Sequence, residues 1–214
     1  MITLRTRRAR EFDDEVELAF IAVVEEIAAD FFRYGYAKPY DVVGKPIEIE
    51  LVFGGIAECE LWDVAPNAIG FFAVCSFERR DEETDEAYYE VPEGFEVHVN
   101  VPMNAILAIQ QVGSGDELDV EADIEASLVT PIHEILHALE WIRITGGKTP
   151  DEVYVENRGG TIAIREVLDR IEAGGQAEDR VETAAQAIVA ALTQGRMPEI
   201  RERLTTSLAA AIAP

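Results

Sequence analysis

The amino-acid sequence predicts an α+β fold, with a mixed, mostly antiparallel sheet in the first half and a mainly helical second half. Alternating apolar and polar residues mark half-buried strands at 47–53 and 95–101. Apolar residues recur with the helical period over 13–32. The helical period at 162–171 and the alanine-rich segments at 177–193 and 198–213 indicate three further helices in the second half.

The length and composition fit one globular domain. The chain has 214 residues, and 48% of them are hydrophobic, which is enough for one sizeable core. We expect a single domain over 1–214, with a helix and the sheet in 1–101 and the helical part in 102–214. No internal repeat or low-complexity linker divides it.

The charge balance limits the classes of partner. The chain carries 42 acidic and 18 basic residues, a formal net charge of −24, so binding to nucleic acid or to an anionic membrane is disfavoured. No apolar run reaches the ~18 residues of a membrane span, and the start has no apolar signal-peptide region. We expect a cytoplasmic protein without a nucleic-acid or membrane partner.

The segment after the first helix is predicted to build the sheet. Residues 47–53 and 56–64 both alternate and are separated by Gly54 and Gly55, so we predict a hairpin at this glycine turn. The other elements predicted in this region are strands at 68–77, 88–91 and 95–101, a charged loop at 78–86 and a helix at 103–112.

Two of the three histidines lie four residues apart in the segment His133-Glu134-Ile135-Leu136-His137. On an α-helix this spacing puts both imidazoles on one face about 5–6 Å apart, close enough to share one Zn²⁺ at about 2.0–2.1 Å. Glu134 lies one residue round the helix, beside the open coordination position, where it can take a proton from a metal-activated water. The sequence therefore predicts a zinc cofactor bound by the two histidines, with Glu134 as the general base.

The neighbouring residues support a helix at this motif. An apolar stripe accompanies the histidines, and no glycine or proline falls between His133 and Thr145. Pro131 leaves two possibilities for the helix start: Thr130 caps the helix with Pro131 at its first position, or the helix runs from near residue 123 with a kink. Gly146-Gly147 predicts the helix end.

The motif resembles that of zincin metallopeptidases of the gluzincin type, in which a glutamate from a second helix completes the metal site. Here a second helix is predicted to start at Thr149-Pro150. Eighteen residues separate His137 from Glu156, a spacing similar to that of gluzincin aminopeptidases. The resemblance covers about 130–157 and makes Glu156 the expected third metal ligand, with Glu166 and then Glu152 as the alternatives.

The same resemblance implies a zincin-like fold in which 95–101 is an edge strand of the sheet. The chain departs from the thermolysin-like pattern, where an acid four residues after the third ligand contacts a zinc histidine, because position 160 is Gly160. Glu140, one turn after His137, is a candidate for that orienting role. His98 and Tyr154 are candidate donors to a developing oxyanion.

The predicted function is that of a zinc-dependent metallopeptidase acting on a peptide or protein substrate. Aminopeptidase, endopeptidase and non-peptide amidase activities all stay open at this point. The alternative is a non-catalytic zinc-binding structural or assembly protein. An open metal position facing a cleft favours catalysis, and a closed site with four protein ligands favours the structural role.

Overall fold

A computed structural model gives the structure of the chain. It describes residues 1–76, 78–80, 87–104, 120–156, 161–172 and 177–211. None of the helices in these ranges combines the length and the hydropathy needed to cross a membrane.

The element order is that of a small sheet followed by helices. The strands are β1 (Ile2–Arg8), β2 (Ile47–Gly54), β3 (Gly70–Phe72), β4 (Arg79–Arg80), β5 (Ala87–Tyr88) and β6 (Phe95–Asn100). The helices are α1 (Glu15–Arg33), α2 (Ile56–Leu61), α3 (Val120–Thr145), α4 (Pro150–Glu156), α5 (Ile162–Glu172), α6 (Ala177–Thr193) and α7 (Met197–Ala211), with a short 3₁₀ turn at Lys38–Tyr40.

The main sheet is mixed, in the order β1-β2-β6-β3, but it is mostly parallel. β1 pairs with β2 and β2 with β6 in parallel, and only β3 runs antiparallel, against β6. The prediction of a mostly antiparallel sheet is therefore wrong. Parallel neighbours need a crossover connection, and α1 is the crossover from β1 to β2. β6 is an inner strand, so the edge strand beside it is β3 and not 95–101 as expected.

The predicted hairpin at Gly54-Gly55 is also wrong. The segment after the glycines folds as α2, where the Glu58 carboxylate accepts a hydrogen bond from the Gly55 N–H. Only Cys59 of this helix is buried. Both edges of β2 are occupied by β1 and β6, so no edge is left for an antiparallel partner.

The predicted helices agree closely with the structure. α1 begins after Asp14, whose carboxylate accepts hydrogen bonds from the N–H groups of Val16 and Glu17. α4 begins at Pro150, and α5, α6 and α7 match the predicted segments 162–171, 177–193 and 198–213. The predicted helix 103–112 lies mostly outside the described residues, although 101–104 are helical.

One face of the sheet packs against α1 and α3. The hydrophobic core there includes side chains with almost no exposed surface, among them Phe20, Phe31, Leu51, Ile135 and Trp141. The opposite face of the sheet carries charged residues: Arg7 Nε lies 2.7 Å from a Glu50 carboxylate oxygen, and Arg7 also contacts Glu96. α3 is therefore held on the apolar side of the sheet.

α3 is the longer of the two predicted alternatives, because it starts at Val120 and contains Pro131. It ends where Gly146 and Gly147 adopt φ values of 65° and 80°, a region that favours glycine. The buried Trp141 indole N–H donates to the Lys148 carbonyl at 2.9 Å and so fastens the following turn to the helix.

Candidate metal centre

The two motif histidines lie together on α3, as their spacing predicts. His133 Nε2 and His137 Nε2 are 2.9 Å apart, and the ring centroids are 4.6 Å apart. His133 is buried, and the His137 side chain is 19% exposed. Burial and the neighbouring His133 lower the pKa of His137, which favours the neutral imidazole that binds metals.

The third member of the group is Glu178, in the first turn of α6. Its two carboxylate oxygens lie 3.0 Å from His133 Nε2 and 3.2 Å from His137 Nε2. In the part of the chain that the structure describes, His133, His137 and Glu178 are the group with metal-ligand atoms within 4.8 Å of one another. Tetrahedral ligands at about 2.0–2.1 Å from a zinc ion are about 3.3–3.4 Å apart, so shifts of a few tenths of an ångström would accommodate one.

The other ring nitrogen of His133 faces a second acid on the same helix. Glu182, one turn after Glu178, places a carboxylate oxygen 3.0 Å from His133 Nδ1. This buried nitrogen has no partner in full hydrogen-bond alignment, so the contact is mainly electrostatic. A carboxylate at the second nitrogen orients a metal-binding imidazole and fixes its tautomer.

The structure does not bring the three glutamates favoured by the sequence into this group. Glu156, at the end of α4, pairs with Lys148, whose Nζ is 2.5 Å from the carboxylate. Glu152 lies 3.2 Å from Lys45 Nζ and accepts the Thr149 N–H at 2.9 Å. Glu166 is an exposed residue of α5. The first two carboxylates are used in ion pairs and a helix cap.

Glu134 lies outside the ligand group, as predicted, and its side chain is mostly buried. Burial raises the pKa of its carboxyl to about 7, although the nearby His133 and a hydrogen bond from the Phe72 backbone N–H both lower it. A carboxyl group with a pKa near neutrality exchanges protons readily at pH 7.

The edge strand β3 comes close to Glu134. A Cβ atom on Gly70 would lie 2.7 Å from Thr130 Cγ2 and 3.4 Å from Glu134 Cγ, so the glycine permits this approach. Asn100 N–H donates to the Ile69 carbonyl and Ala73 N–H to the Glu96 carbonyl. Because backbone groups alternate sides along a strand, those of residues 70 and 72 point away from β6, toward the side of β3 that has no strand partner among the described residues.

The remaining candidates have other partners. Glu140 accepts two hydrogen bonds from Arg143 of its own helix, at 2.8 and 2.6 Å. His98 Nε2 lies 3.1 Å from the Glu96 carboxylate.

The rings of the two candidate oxyanion donors are packed against aromatic side chains. The His98 ring stacks on Phe71 at 4.8 Å. Tyr154 packs edge-on against Tyr89, with the ring centroids 6.4 Å apart. No contact of His98 or Tyr154 with His133, His137 or Glu178 is found among the described residues.

Sequence reasoning missed Glu178 and Glu182 although it predicted the helix that carries them. The signal that could have found them is the thermolysin-like pattern itself, a third ligand followed by an acid four residues later. Position 160 fails this pattern after Glu156, whereas Glu182 meets it after Glu178.

Comparisons with known proteins add nothing to the resemblance to zincins, which depends on the motif around His133 and His137. No protein-family model matches the chain, and no curated protein and no solved structure matches it.

Proposed function

We propose that His133, His137 and Glu178 bind a zinc ion and that the protein is a zinc-dependent metallopeptidase. The observation that carries this proposal is the convergence of two helices on one point. α3 supplies two imidazoles, and α6 supplies a carboxylate in contact with both of them. Two histidines and one glutamate form a ligand set of catalytic zinc sites, which keep a fourth position for water or substrate.

Two features of the group support an open catalytic site over a closed structural one. Among the described residues the group has three candidate ligands, whereas structural zinc sites have four. The Glu178 side chain is 73% exposed, so the group opens to solvent on the side of α6. Water and a substrate can therefore reach it.

The chain's own residues suit the hydrolysis of an amide bond. A zinc ion would supply a Lewis acid that lowers the pKa of a water molecule to about 7. Glu134, with a pKa raised to about 7 by burial, takes the proton of the attacking water and can return it to the leaving amine. Glu182, 3.0 Å from His133 Nδ1, favours a proton on that nitrogen and leaves Nε2 for the metal.

The edge strand supports a peptide as the substrate. The outward-facing backbone groups of β3 lie beside Glu134, and an extended peptide can add to such an edge through main-chain hydrogen bonds. A peptide bound there would run past the general base. This arrangement favours a peptide over a small amide that has no extended backbone.

The metal assignment is tested by comparing Glu178→Ala with Glu156→Ala. The first variant loses one of three ligands, and we expect its zinc content, measured by metal analysis after mild dialysis, to fall well below that of the parent. The second removes an acid paired with Lys148 and should keep the parent's zinc. Glu182→Ala should weaken zinc binding about 10- to 100-fold. Equal zinc in the Glu178→Ala variant and the parent would exclude Glu178 as a ligand.

The catalytic assignment is tested with Glu134→Gln and a peptide library. Glutamine keeps the size of the side chain and accepts the Phe72 N–H, but it cannot take a proton. We expect zinc content equal to the parent and hydrolysis slower by about 10²-fold or more. A parent that binds zinc stoichiometrically and cleaves nothing would instead support a non-catalytic zinc protein.

A further inference from the structure

A cavity lies between α3, α5 and α6, next to the turn of α3 that follows His137. Its volume is about 400 Å³, and its apolar floor comes from one side chain of each helix, Leu136, Ile171 and Val181. Its polar lining consists of three arginines, Arg143, Arg170 and Arg180, together with Glu140 and Tyr40.

The charge of this cavity is opposite to that of the protein. The chain has only 18 basic residues and a net charge of −24, yet three arginines line this one cavity. Among the described residues of the lining the only acid is Glu140, and it is already engaged by Arg143 at 2.6 and 2.8 Å. Two positive charges are left over in the lining.

Arg170 and Arg180 carry that excess charge. Neither has a side-chain hydrogen bond or an ion pair within the described ranges. Arg170 is in the last turn of α5, where a cation is favoured by the helix dipole. Arg180 is near the start of α6, where a cation is disfavoured. The charge of Arg180 therefore interacts unfavourably with the dipole of its own helix. An anion bound in the cavity would offset this unfavourable interaction.

We propose that this cavity binds a phosphate monoester with an apolar or aromatic body. The phosphate carries about −1.5 to −2 charge at pH 7, which matches the two unpaired guanidinium groups. Arginine forks bind phosphate oxygens in pairs. The organic body would cover the apolar floor. This site is independent of the metallopeptidase proposal, because none of its lining residues is a proposed metal ligand or Glu134.

The test is calorimetric titration of the full-length protein with phenyl phosphate at constant ionic strength. We expect saturable binding at one site, weakened at least tenfold in both Arg170→Gln and Arg180→Gln. Arg180→Lys, which keeps the charge but not the fork, should bind with intermediate affinity. Arg8→Gln removes the same charge from an exposed side chain of β1 and should bind like the parent. Circular dichroism of each variant checks that it is folded.

Every other outcome overturns part or all of the proposal. No saturable heat with the parent would exclude the site. Unchanged affinity in both arginine variants would place the ligand elsewhere, for example on a bound metal. If phenylacetate bound as tightly as phenyl phosphate, the site would be one for carboxylates in general and not for phosphate. If inorganic phosphate bound as tightly, the apolar floor would make no contribution to binding.

Discussion

In the metal-free protein, the ionised Glu134 carboxylate should lower the free energy of unfolding at the pH where this residue would act in catalysis. Its carboxyl has a pKa raised from 4.5 to about 7 by burial. Between these two values the folded chain holds a proton that the unfolded chain has released. The free energy of unfolding therefore falls as the pH rises through this window and stays low above it.

The size of this cost follows from the pKa difference. The difference between a pKa of 4.5 and one of about 7 corresponds to about 3 kcal/mol. The side chain keeps some contact with solvent, so we take about 2 kcal/mol as the expected penalty above pH 7. In a domain of this size that free energy changes the thermal midpoint by roughly 4–8 °C.

The measurement is the thermal midpoint of the chelated and dialysed protein at pH 5 and pH 8. Glu134→Gln removes the ionisation but keeps the acceptor for the Phe72 N–H. Its midpoint should exceed the parent's by roughly 4–8 °C at pH 8 and by much less at pH 5. Glu166→Gln removes an exposed charge of α5 and serves as the matched control, with no such pH dependence.

Two results would refute the reasoning. A Glu134→Gln midpoint equal to the parent's at pH 8 would mean that the buried carboxylate carries no penalty. A gain of the same size at pH 5 and pH 8 would mean that the effect comes from packing or general charge and not from this ionisation.

Two further predictions concern the whole chain and the edge strand. Because the net charge is −24, added sodium chloride should screen repulsion in the folded state and raise the thermal midpoint; a flat or falling midpoint would contradict this. Gly70→Ala puts a Cβ 2.7 Å from Thr130 Cγ2 and 3.1 Å from the His98 carbonyl, so it should destabilise the protein by about 1–3 kcal/mol. Adding Thr130→Ser, which removes Cγ2, should restore part of that loss in urea unfolding, and identical losses in the single and double variants would locate the strain elsewhere.

The helices could be predicted because their signals are local. The apolar periods of α1, α4 and α6 and the caps of α1 and α4 are contained in each segment, and the bounds of these helices in the structure differ little from those predicted. The same holds for the histidine pair, since a spacing of four residues fixes the relation of His133 to His137 on any helix.

Strand pairing could not be predicted in this way, because it depends on partners far away in the chain. β2 was assigned to a hairpin from its nearness in sequence to 56–64. In the structure it pairs with β1 and β6, which are separated from it by α1 and by the β3–β5 region. The approach of β3 to Glu134 could not be predicted for the same reason, because it depends on the packing of Gly70 against Thr130, which is far away in the chain.

The third residue of the candidate metal group was not predicted because the sequence does not show which carboxylates are already paired. Glu156 has the family-like spacing, but Lys148 lies 2.5 Å from it, and Lys45 lies 3.2 Å from Glu152. Two of the chain's three lysines are thus used on the two glutamates of α4. Metal binding by either glutamate would first require breaking its ion pair. The Glu178 carboxylate instead lies against the two imidazole nitrogens. A cation bound by the two imidazoles would be coordinated directly by this carboxylate, and no ion pair with a lysine would have to be broken.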